Sequence, residues 1–73
     1  MTRGRELLAE ILDMPPAELP DVAGIDTVAA WDSLAHMRLV ARLEGILGRE
    51  LAAEEMLALD GVPAIDAILE ASA

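Results

Sequence analysis

The sequence predicts an all-α fold, a small bundle of three longer helices and one short one. Three observations carry that prediction. Apolar residues recur at helical spacing in residues 3–13, 33–47 and 62–69. Turn signals at Pro15-Pro16 and Asp60-Gly61 punctuate the chain between such segments. Hydrophobic residues make up 55% of 73 positions with no cysteine, so a single domain over residues 1–73 must be held by packing alone. A domain of this size buries only about 60% of the surface its unfolded chain exposes, so that packing must be good.

The first helix fits residues 3–13. Leu7, Leu8, Ile11 and Leu12 form one buried stripe, Glu6, Glu10 and Asp13 lie opposite, and Pro15 and Pro16 end it. Residues 14–32 hold three prolines and no sustained period, which makes a long connection between the first two helices. Connections of this length in compact domains are usually functional or disordered. Leu19, Val22, Ile25, Val28 and Trp31 stud this one, so it is expected to pack down. A second helix fits residues 33–47, its end loosened by Gly45 and Gly48. LAAEEMLAL, residues 51–59, predicts a short third helix with Glu54 and Glu55 well placed near its N-terminus. Pro63 suits the first turn of a last helix whose inner face is Val62, Ile65, Ile68 and Leu69, with Asp66 and Glu70 toward water.

The second helix has one apolar face too many. Leu39, Val40, Leu43, Ile46 and Leu47 form a broad core stripe that includes His36, yet Leu34, Met37 and Ala41 cluster elsewhere, flanked by Ser33, Arg38 and Arg42. Exposed apolar strips rimmed by charge mark interaction sites. The alternative is that the 14–32 connection folds over Leu34 and Met37 and hides them. At the head of this helix Asp32 or Ser33 can serve simply as the N-cap. A nucleophile reading would pair Ser33 with His36, but nothing obvious orients that histidine and no glycine-rich elbow presents the serine. A phosphate ester on Ser33 would meet the positive end of the helix dipole, which tolerates it without selecting it.

Fourteen acids against five arginines and no lysine give a formal charge of −9. Clustered cations for nucleic acid or anionic lipid are missing, whereas basic protein surfaces would be attracted. One histidine and no cysteine leave any metal site to rest mainly on carboxylates, and no carboxylate pair or phosphate-cradling glycine loop points to catalysis. No apolar run approaches the ~20 residues of a membrane span. The N-terminus breaks at once into an acidic helical pattern unlike a secretory signal. A cytoplasmic helical protein that is not an enzyme is expected.

The stretch DSLAHMRLVARLEGILGREL resembles the attachment segment of acyl carrier proteins, in which Asp-Ser-Leu opens the second helix and an apolar-rich helix ending in Leu-Glu follows. Here those are Asp32-Ser33-Leu34 and Leu43-Glu44. Asp-Ser-Leu alone is a weak motif, but the likeness of helix order extends over nearly all 73 residues. The resemblance implies an up-and-down four-helix bundle with a short third helix and a long loop between helices 1 and 2. It implies that Ser33 carries 4′-phosphopantetheine, installed from coenzyme A by a Mg²⁺-dependent phosphopantetheinyl transferase that needs Asp32 beside it. The arm's thiol would hold an acyl or aminoacyl group as a thioester, which supplies the thiol a cysteine-free chain lacks. Partners would be a loading ligase or transferase and downstream acyl-accepting enzymes, docking on Leu34, Met37 and Ala41 with Arg38 and Arg42 at the edge. A free-standing monomeric carrier is expected.

The chain departs from the family's pattern in two places. Arg38 and Arg42 make the second helix net positive within a negative protein, so partners tuned to an acidic second helix should bind poorly. This points to a dedicated biosynthetic pathway instead of housekeeping fatty-acid synthesis. Ala30 and Trp31 replace the small, often glycine-containing approach to the serine, which leans toward an acyl over a peptidyl carrier. Trp31 could shield the phosphodiester, belong to a docking surface or plug the core. The alternatives to an acyl carrier are a peptidyl or aminoacyl carrier of a nonribosomal-peptide-type pathway and an unmodified helical interaction module of the same fold.

Overall fold

The computed structural model describes residues 2–20 and 22–71. Among them are four α-helices and no β-strand: α1 (Arg3–Leu12), α2 (Ser33–Leu47), α3 (Ala53–Ala58) and α4 (Val62–Ala71), with a single 3₁₀ turn over Pro16–Glu18. Helix α1 packs chiefly on α4 and also on α2. Fifteen buried apolar residues form one cluster, with Leu8, Leu39, Leu43, Leu59 and Ile65 at its centre.

Each helix end has a local cause. Thr2 caps α1 by accepting the Arg5 N–H, and Asp13 closes it in the left-handed conformation at φ 56°. Aspartate is among the few residues that adopt that conformation readily. Gly48 ends α2 at φ 72°, its N–H donating to the Glu44 carbonyl, so this glycine stops the helix and does not merely loosen it. Helix α3 is shorter than its apolar pattern. The Glu55 carboxylate accepts the Ala52 N–H at 3.0 Å, which starts the helix at Ala53 and leaves Leu51 and Leu59 outside it as buried anchors at either end.

The connection from 14 to 32 is held down at its two halves by different means. The Arg5 guanidinium donates to the carbonyls of Pro16, Leu19 and Pro20. Further along, Ile25 N–H donates to the Asp60 carbonyl and Val62 N–H to the Ala23 carbonyl, a short antiparallel bridge between Gly24 and Gly61. Leu19, Ala23, Val28 and Trp31 are buried as a result. Val22 and Ile25 are not, at 84% and 37% exposed, contrary to the expectation that both pack down. Both lie in turns beside the Gly24–Gly61 bridge, which holds the Ala23 backbone against Val62 and leaves the two turn side chains at the surface.

Three further expectations are corrected. Ile46 is exposed, because the core line of α2 runs through Ala35, Leu39 and Leu43 with Val40 beside it, and Ile46 falls at its edge in a shallow hollow lined by Leu7, Glu10, Arg42 and Leu69. Of the α1 stripe, Leu7 and Leu8 are buried while Ile11 and Leu12 are half-buried, and Ala9 joins the core. Asp66 does not simply face water. It is half-buried and accepts the Gly4 N–H at 2.8 Å, tying α4 to the first turn of α1.

Candidate functional site

The head of α2 divides its work between two adjacent residues. Asp32 is the N-cap: its backbone is extended, its carboxylate accepts the Ala35 N–H at 2.9 Å, and its carbonyl accepts the His36 N–H. Ser33 is the first helical residue, exposed, and its hydroxyl makes no hydrogen bond among the described residues. No acidic side chain follows in the first turn. The free amides and the dipole of a 15-residue helix therefore favour negative charge here.

Ser33 stands on the rim of an open groove of about 500 Å³ lined by Ile25, Trp31, Asp32, His36 and Met37. A second groove, of about 310 Å³, continues along α2 toward α3 past His36, Met37, Val40, Ala41, Glu44 and Met56. His36 and Met37 belong to both. The lining is mostly apolar, with Trp31 as a floor: the indole is 3% exposed, so it plugs the core and does not stand out as a docking residue.

His36 is committed on both ring nitrogens. Its Nδ1 accepts the Trp31 indole N–H at 3.0 Å, and its Nε2 lies 2.9 Å from the Met56 carbonyl oxygen. The imidazole and indole rings lie 23° from parallel with centroids 6.0 Å apart, joined edge to edge by the first of those bonds. Neither nitrogen is left to act on the Ser33 hydroxyl, so the structure does not bring the two together as a nucleophile–base pair.

Leu34 and Met37 are 61% and 69% exposed, and Ala41 and Arg38 are exposed beside them. The long connection does not fold over them. Arg38 shares a hollow with Asp13, Asp32 and Leu34. Arg42 is drawn to the α1 side by an ion pair with Glu10 at 2.5 Å, both partners largely in solvent, where such pairs contribute little. Of the two α2 arginines, Arg38 is thus the one beside the apolar strip without an ion pair among the described residues.

The sequence reading missed Ile25 and Met56 as groove residues. The apolar pattern of the connection points Ile25 toward the core, and a backbone carbonyl 20 residues from His36 leaves no sequence signal. Among the described residues no helix is long and apolar enough to cross a membrane, and no three or more His, Cys, Asp or Glu side chains gather as a metal site. No family model and no curated protein matches the chain.

Proposed function

We propose that this chain is a carrier protein bearing 4′-phosphopantetheine on Ser33. The observation that carries the reading is the division of labour at α2. Asp32 does the capping, so Ser33 has no structural task, and a solvent-facing hydroxyl stands at a helix N-terminus on the rim of an apolar groove. The helix order supports it too: a long connection precedes the serine, a short third helix follows, and the described residues fold as a small all-helical globule.

The residues present fit the group. Esterification of the Ser33 oxygen would break no hydrogen bond and would place a phosphodiester where backbone N–H groups and the helix dipole favour an anion. When bound, the group supplies a thiol that carries an acyl chain as a thioester. The chain's own part is to present the serine, keep Asp32 beside it for transferase recognition, and offer Leu34, Met37 and Ala41 as the apolar docking strip with Arg38 and Arg42 at its edge. Cargo would be delivered between separate enzymes of a dedicated pathway, the loading ligase or transferase and the acceptors downstream.

The test is an intact mass after incubation with coenzyme A, Mg²⁺ and a broad-specificity phosphopantetheinyl transferase. The expected result is a gain of one phosphopantetheine by the parent chain and none by Ser33→Ala. No gain with several transferases on a folded sample would replace this reading with an unmodified helical interaction module, for which the exposed Leu34 and Met37 already offer a surface.

A further inference from the structure

We propose that Trp31, His36 and the Met56 carbonyl form one relay that couples the seating of α3 to the backbone entering Ser33. The chemistry of the three groups ties both bonds to one tautomer of the neutral ring. An indole N–H can only donate and a carbonyl oxygen can only accept. Both contacts, at 3.0 Å and 2.9 Å, are therefore hydrogen bonds only when the imidazole is neutral with its proton on Nε2. With the proton on Nδ1, N–H would face N–H at Trp31 and a lone pair would face the carbonyl at Met56, so both bonds are lost together. Each bond also polarises the ring in favour of the other.

The relay joins the end of the long connection, α2 and α3. Trp31 lies two residues before Ser33, His36 is in the first turn of α2, and Met56 belongs to α3. Helix α3 has no buried residue of its own. It is held at its ends by Leu51 and Leu59, with Met56 half-buried between them. Its other polar ties are at its entrance: Glu44 accepts the Leu51 N–H at 2.8 Å, and Arg49 pairs with Glu55. The Met56 carbonyl is available because it lies in the last turn of a short helix, where carbonyls lack full intrahelical partners. The Leu59 N–H reaches it only at 3.4 Å. His36 fills that position from across the groove.

A partner that lifts α3 off α2 removes the acceptor at Met56, frees the Nε2 proton, and so weakens the anchor of Trp31 beside the attachment serine. The site of attachment and the surface of α3 then report on each other. The importance of this coupling for function rests on Ser33 being the loaded residue, whereas the relay itself does not, and its test uses the unmodified full chain.

Long-range ¹H–¹⁵N correlation of His36 at neutral pH should show the Nε2–H tautomer alone. An Nδ1–H ring or a mixture of tautomers would overturn the relay. Trp31→Phe keeps an aromatic ring in the core and deletes the donor. It should speed amide exchange in residues 53–58 by about three- to ten-fold while α1 and α4 keep their rates, as expected for losing one hydrogen bond. His36→Leu should do the same, and His36→Gln, which can accept and donate in the same sense, should recover most of the protection. Exchange in 53–58 that ignores both Trp31→Phe and His36→Leu, or that accelerates equally in every helix, would sink the coupling. Should Trp31→Phe fail to fold, the tautomer and the two His36 variants decide.

Discussion

Asp32 and Ser33 are both good helix caps by residue type, and only the geometry separates them. The Asp32 carboxylate takes the Ala35 N–H, and the Ser33 hydroxyl takes no hydrogen bond among the described residues. Their alanine variants should therefore behave differently. Asp32→Ala should cost about 1 kcal/mol, a fall in Tm of roughly 4–8 °C for a domain of this size. Ser33→Ala should stay within about 0.5 kcal/mol of the parent. Parallel thermal melts check this, and equal losses would mean that the serine is the cap. The sequence could place a cap at 32–33 but not choose its residue, since side-chain direction at a helix entrance depends on where the preceding loop lies.

At the scale of elements, the start of α2 at Ser33 and its end at Leu47 were readable from residue spacing. The seams between helices were not. Gly4 sits in the first turn of α1, where alanine, the better helix former, would ordinarily stabilise. A β-carbon there would instead collide with the Asp66 carboxylate and come within 3.1 Å of the Asp66 backbone nitrogen. Gly4→Ala should thus destabilise by about 1–3 kcal/mol, read as a lower urea midpoint. A raised midpoint would show that α4 is free to shift away. Helix α3 makes a different prediction. The Arg49 guanidinium, donating to the Glu55 carboxylate, together with the Ala52 N–H, lowers the Glu55 pKa from 4.5 to about 2. The folded state thus favours ionised Glu55, and the stability its bonds to Arg49 and the Ala52 N–H give the start of α3 is present above pH 4.5 and is lost as pH falls toward 2. Arg49→Gln should move the Glu55 carboxyl titration up toward 4.5 in ¹³C NMR. An unmoved midpoint would remove Arg49 as its cause.

For the molecule as a whole, the radius of gyration of 11.2 Å is what a folded chain of this length should have, about 11 Å. That compactness comes from aliphatic side chains around one buried tryptophan, with no disulfide. The amino-acid sequence by itself determined the number and order of helices, the long connection, and a serine at the head of the second helix. These follow from periodicity, breakers and caps, which act over a few residues. Only the tertiary structure decided that Trp31 lies in the core, that Val22, Ile25 and Ile46 turn outward, and that His36 bridges the loop to α3. It also decided that Asp66 reaches Gly4, 62 positions away. The reason is physical. Which way an apolar or polar group faces depends on the surface and hydrogen-bond partner it meets, and those partners come from segments that no local pattern brings together.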